Sequence, residues 1–141
     1  MMHDIGKIGI DESILNKQGR LTATEWDEIK RHPEIGYRIL SSVSEFSEIA
    51  TCVLEHHERW DGTGYPRGLK GEQISLEARI VGFADAYDAM TTSRTYRSAL
   101  DEKKALQEIL QCAGTQFDPT IAGVFVSRVL TEQTGCGQRQ I

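Results

Sequence analysis

The sequence predicts an all-α fold. Apolar residues recur at helical spacing through most of the chain, helix-start signals stand ahead of two of these stretches, and no strand-like alternation of useful length interrupts them. Taken in order, Thr22 and Glu25 read as a capping box ahead of Trp26-Asp27-Glu28-Ile29. Pro33 breaks or restarts that helix, because a residue before proline is pushed toward extended geometry. A second helical stretch covers residues 34–43.

The next segment has the clearest pattern. Phe46, Ile49, Ala50, Val53, Leu54 and His57 share one helical face, which sets His57 in line with core residues. His56 continues the neighbouring row through Ile49, Cys52 and Val53. After Trp60 the periodicity stops, and residues 61–71 are rich in turn formers. It resumes from about Leu76 through Ile80, Ala84 and Tyr87. A further helix spans about 101–112, with Leu106, Ile109 and Leu110 facing inward. Asp118 caps the last helix and Pro119 takes its first position; Ile121, Val124, Phe125 and Val129 form its apolar stripe. Residues 131–141 are polar and expected to fray as a tail, leaving 1–130 as the domain.

Composition narrows the function classes. A chain of 141 residues is one domain by length, and can bury roughly 68–70% of its unfolded surface without disulfide support. Three cysteines, Cys52, Cys112 and Cys136, are odd in number and lack CxxC spacing; they read as reduced thiols in the cytoplasm. No run approaches the roughly 18 apolar residues of a membrane span, and the first residues lack the pattern of a secretory signal. A net charge of -5 argues against a nucleic-acid surface, although a few local Lys and Arg side chains can still build a pocket for a small phosphorylated ligand.

The chemistry is carried by four histidines and their acidic neighbours. His3 precedes Asp4, His32 precedes Pro33, His56 and His57 are adjacent, and Asp85 and Asp88 lie three apart on one predicted helix. Nitrogen and oxygen ligands spread over several helices converge only in a folded core, and suit divalent transition metals better than magnesium or calcium. A metal would offset the cost of burying the carboxylates, several kcal/mol for each ion. Histidine–carboxylate hydrogen bonds without metal are the alternative. Adjacent helical residues point about 100° apart. His56 and His57 therefore share an ion only near a helix end, and otherwise imply a multinuclear centre. His3-Asp4 suggests a bridging carboxylate beside an imidazole. Lys7, one turn after His3, is in reach of a phosphate oxygen.

These residues match a known family. His3-Asp4-Ile5-Gly6-Lys7 resembles the HD motif of the HD-domain metal phosphohydrolases, and His56-His57-Glu58-Arg59-Trp60-Asp61-Gly62-Thr63-Gly64-Tyr65-Pro66 resembles the signature of their HD-GYP subfamily. The likeness continues through His32-Pro33-Glu34-Ile35-Gly36, the segment from Ala84 to Thr91, Arg94-Thr95-Tyr96-Arg97 and Gly114-Thr115-Gln116-Phe117-Asp118-Pro119. The resemblance implies an HD-like helical bundle with the Gly-Tyr-Pro loop between helices. It implies a di- or trinuclear centre of iron or manganese, and hydrolysis of cyclic di-GMP to pGpG or GMP. Carried over by position, His3, Asp4, His32, His56, His57 and Asp85 are metal ligands, and Asp4 and Lys7 are catalytic. Lys7, Arg94, Arg97, Tyr65 and Asp88 fall on the substrate side.

The departure is at the front, because the family's bundle starts upstream with helices that supply a further ligand. Three expectations follow: weak or lost turnover, homo-oligomerisation through faces left bare, and a signalling partner at the Gly64-Tyr65-Pro66 loop. A nucleotide-binding or interaction module without turnover is the competing reading, and hydrolysis of another phosphate ester a third. The Gly64-Tyr65-Pro66 and Arg94/Arg97 segments favour a cyclic dinucleotide over the third.

Overall fold

The computed structural model describes residues 2–93 and 98–135, the last five as backbone. Among the described residues the chain is helical without strands, a lone bridge pairing Ala113 with Phe117. A 3-10 helix, Met2–Gly9, opens the chain. Seven α-helices follow among the described residues: α1 (Glu12–Leu15), α2 (Ala23–Ile29), α3 (His32–Ser41), α4 (Ser47–Glu55), α5 (Leu76–Thr91), α6 (Glu102–Cys112) and α7 (Pro119–Gly135). The all-α expectation holds. No helix among the described residues is long and apolar enough to cross a membrane.

The local start signals form as read. The Thr22 hydroxyl accepts from the Glu25 amide while the Glu25 carboxylate accepts from the Thr22 amide, satisfying two of the donors left open at a helix start. The Asp118 carboxylate accepts from the Thr120 amide at 2.8 Å ahead of α7. Pro33 sits in the first turn of α3, where its missing N–H leaves no helical bond unmade.

The chain divides into two compact units, residues 1–82 and 83–141, with the boundary inside α5. In the first, the opening 3-10 helix and α4 pack on α3. Gly6 makes this approach close: a side chain there would collide with the His32 carbonyl and lie 2.6 Å from the Gly36 amide nitrogen. Leu40, Ala50 and Val53 form the buried centre, with Ile5 against it. In the second unit, Phe83, Leu106, Ile109, Phe117, Ala122 and Val126 form the core. Edge-to-face pairs of Phe83 with Phe117 and Phe125, at 5.2 and 5.0 Å, tie its helices together.

Several side chains expected inside are outside. Phe46 and Ile49 on α4's row, Leu76, Ile80 and Ala84 on α5, Leu110 on α6 and Val124 on α7 are exposed. Ala50, Val53, Leu106 and Ile109 are buried as the spacing predicts, and the other buried positions fall one or two residues from the exposed ones or beside them, on Ala78 and Phe83, Ala105, and Ala122 with Val126. Ala122 lies in the buried cluster of the second unit, and larger apolar residues such as Ile121 and Phe125 pack against that cluster. Cys52 and Cys112 are half-buried free thiols; Cys136 lies outside the described residues.

Candidate metal centre

The site grows from helix ends. His3 and Asp4 sit on the opening 3-10 helix, and His32 is the first residue of α3. His56 is the residue that closes α4, so His56 and His57 leave the helix at its C-terminal end. That position lets neighbouring residues turn their rings to one place. The four imidazoles gather: His56 lies 4.0 Å from His57, 5.0 Å from His3 and 5.4 Å from His32, ring centre to ring centre. His32 and His57 are 5.0 Å apart.

Two rings are aimed by backbone. Nδ1 of His32 lies 2.7 Å from the Ile29 carbonyl, and Nδ1 of His56 lies 2.7 Å from the Val53 carbonyl. A carbonyl can only accept, so each Nδ1 carries the hydrogen and each Nε2 presents a lone pair. Both Nε2 atoms are buried with no hydrogen-bond partner. Buried acceptors of this kind are costly to leave unmatched. The donor set fits a cation: one ligand atom each from His32, His56 and His57, or from His3, Asp4 and His56, lies within 4.8 Å of the others. Fixing imidazole tautomers from outside is what the outer partners of metal-bound histidines do.

The local electrostatics keep the imidazoles of His32, His56 and His57 neutral and the Asp4 carboxyl ionised. Burial pushes His56 down to about 4 and His57 down to about 3, with neighbouring imidazoles adding to the effect. Burial lowers His32 as well, against the pull of its bond to Ile29. Burial alone would raise Asp4, but the Lys7 ammonium, 2.8 Å from its Oδ1, holds the carboxyl below its ordinary range. The Asp4 oxygens face two rings, Oδ2 at 3.6 Å from His3 Nε2 and Oδ1 at 3.8 Å from His32 Nε2. Neutral imidazoles beside an ionised carboxylate are the protonation states that metal binding requires.

The loop after α4 folds back over this cluster. The Tyr65 ring stacks on His57 at 5.0 Å and 26°. Gly64 passes so close to the preceding backbone that a side chain would stand 2.6 Å from the His57 carbonyl oxygen. Two carboxylates that sequence reasoning passed over hold the loop. Glu58 accepts from the amides of Arg67 and Leu69, at 2.7 and 2.9 Å, and Glu55 accepts from the Ser75 amide at 2.8 Å. Glu58 stands in sequence only as one residue of the signature segment, and neither carboxylate's partner could be read there, because those partners lie 9 to 20 residues away.

The structure therefore brings together His3, Asp4, Lys7, His32, His56, His57 and Tyr65 within the first unit. Asp85 and Asp88 belong to the second: Asp85 is half-buried, and Asp88 is exposed with its carboxylate accepting from the Thr92 hydroxyl at 3.2 Å. Arg94 and Arg97 lie outside the described residues.

A helical bundle with histidines and an aspartate gathered at helix ends defines the class. The family described as HD domain matches residues 1–121, and the chain belongs to it. Within that family it fits the HD-GYP subfamily, whose Gly-Tyr-Pro signature it carries at Gly64-Tyr65-Pro66. A cyclic di-GMP phosphodiesterase response regulator, RpfG, from Xanthomonas campestris is 46% identical over 140 residues, 97% of this chain and 37% of the relative. A cyclic di-GMP phosphodiesterase from Thermotoga maritima is 45% identical over 127 residues, 89% of this chain and 34% of its own length. A 3'3'-cGAMP-specific phosphodiesterase from Vibrio cholerae is 42% identical over 119 residues, 84% of this chain and 26% of that relative. The chain thus spans little more than a third of these proteins at most. The crystal structure of a cyclic GMP-AMP-specific phosphodiesterase from V. cholerae shares the fold, with a TM-score of 0.64 at 21% identity over 92% of this chain and 36% of that one.

Proposed function

We propose that this chain is the hydrolytic domain of a metal-dependent phosphodiesterase that cleaves cyclic di-GMP to pGpG or GMP. The observation that carries the reading is the pair of buried Nε2 atoms on His32 and His56, tautomer-set and unmatched, beside the Asp4 carboxylate. His3, Asp4, His32, His56 and His57 would hold the metal, joined by Asp85 on the family pattern. Iron or manganese is the expected occupant, as a di- or trinuclear centre. When bound, such ions acidify a water and offset the charge that develops on phosphorus.

The chain's own residues set the rest. His56 has one nitrogen left after its bond to Val53, so it serves one ion only. Asp4, whose two oxygens face different imidazoles, would be the residue able to serve a second ion as well. Lys7 keeps Asp4 ionised and stands at the cluster's edge as the cation for a non-bridging phosphate oxygen. Tyr65 walls the His57 side and bounds the space a nucleotide can enter. Arg94, Arg97 and Asp88 are assigned to the substrate side on the family pattern. Relatives named as cyclic di-GMP and 3'3'-cGAMP phosphodiesterases support a cyclic dinucleotide over other phosphate esters.

The test is metal analysis of the purified chain together with a cyclic di-GMP turnover assay in the presence and absence of chelator. Stoichiometric metal with chelator-sensitive release of pGpG or GMP is expected. A chain that holds metal and nucleotide without turnover would replace this reading with that of a binding module.

A further inference from the structure

We propose that Glu58 is a positioning residue: its carboxylate pins the returning arm of the Gly64-Tyr65-Pro66 loop and so holds the Tyr65 ring against His57. The proposal rests on the reading of His57 as part of the site. Glu58 follows His57 directly and is half-buried. Its Oε1 takes the Arg67 amide at 2.7 Å and its Oε2 the Leu69 amide at 2.9 Å. Both oxygens are thus used, on two amides that follow Tyr65-Pro66. Hydrogen bonds to an ionised acceptor are shorter and stronger than neutral ones.

Before the arm, the Tyr65 amide donates to the His57 carbonyl at 3.3 Å, a longer bond, and Gly64 packs on the backbone of residues 57–59. The loop is therefore seated by contact at Gly64 and tied down by charge after Pro66. Tyr65 lies between the two points, with its ring on His57 at 5.0 Å. Releasing the charged tie removes the restraint that follows the ring in the chain. One residue would then set both the seat of the loop and the face of a candidate ligand ring. A small displacement of such a wall is enough to alter turnover, since misplacement by about 1 Å can cost on the order of a hundredfold.

The test uses the whole chain. The His57 ring signals are recorded by NMR in metal-free, isotope-labelled protein, and Tyr65→Leu shows where they move when the stacked ring is gone. Glu58→Gln keeps the shape but turns one acceptor oxygen into a donor facing an amide. It is expected to carry the His57 signals toward their Tyr65→Leu positions. Signals left at their wild-type positions in a folded Glu58→Gln protein overturn the proposal. If Glu58→Gln does not fold, Glu58→Asp, which keeps the charge and shortens the reach, is read the same way.

Kinetics give the second readout. With metal content matched, Glu58→Gln is expected to lower kcat/KM for cyclic di-GMP by about tenfold or more. Adding it to Tyr65→Leu should change activity by less than about twofold, because the two act through one ring. Fully multiplicative losses overturn the proposal in favour of a plain stabilising role. Absence of turnover in the wild-type chain removes the hydrolytic reading alone, since the ring signals still decide the role of Glu58.

Discussion

His32 and His56 show how single residues are prepared for a ligand. Each donates Nδ1–H to a carbonyl three residues back and turns a lone pair into a buried space. Loss of an outer partner of a metal-bound histidine typically costs 10–100-fold in affinity. His56→Ala, which removes a donor itself, is expected to lose more than that, read as metal stoichiometry after dialysis against buffered metal. The same burial has a pH signature in metal-free protein. His56 and His57 stay neutral in the fold down to about 4 and about 3, whereas the unfolded chain protonates them near 6.5. The unfolded state then binds more protons between those values, so stability is full above about pH 6.5 and falls as the pH drops toward 4. Each histidine contributes a slope of about 1.4 kcal/mol per pH unit in that window. Urea unfolding of chelator-treated protein across pH 4 to 7 checks this, and a flat profile would count against neutral buried imidazoles.

At the scale of elements, the helix ends do most of the placing. Asp118 caps α7 through the Thr120 and Ile121 amides, at 2.8 and 3.4 Å. Asp118→Ala should cost about 1 kcal/mol in urea unfolding, and Asp118→Asn much less, because asparagine also caps well. The meeting of the opening 3-10 helix with α3 depends on Gly6, where any side chain meets the His32 backbone. Gly6→Ala is expected to destabilise by about 1–3 kcal/mol and also to weaken metal binding, because His3 and Asp4 ride on the displaced helix. A Gly6→Ala protein with full stability and metal content would show that the contact yields easily.

These elements also show what was legible in advance. The Thr22–Glu25 box and the Asp118-Pro119 start are short-range codes, their partners within three residues, and both form as read. The inward sides of α4 to α7 were less legible. Leu110 and Val124 fit a helical stripe by spacing, yet stand 51% and 57% exposed while Ala105 and Ala122 are fully buried. Spacing says which residues share a face; it does not say which line on a broad apolar face meets the neighbour.

For the whole molecule, the two compact units make separate predictions. In the second, Ile109 is fully buried among Phe83, Phe117 and Val126. Ile109→Ala should cost about 2–5 kcal/mol in that unit's unfolding. In the first, a bound metal stabilises by mass action, about 2.7 kcal/mol at a hundredfold excess over Kd. Calorimetry with and without chelator should show the metal-dependent shift.

What the sequence determined by itself were the local and chemical facts. The helical period, the caps, and the order of His3-Asp4, His32, His56-His57 and Gly64-Tyr65-Pro66 identify the family without coordinates, because each is encoded in neighbouring residues. Tertiary structure alone decided the rest. It put His56 and His57 at a helix end, where adjacent rings can converge. It also buried two imidazole nitrogens without partners, and gave Glu55 and Glu58 the task of tying the loop. These depend on segments far apart in the chain meeting at close range, and no local pattern records where such segments meet.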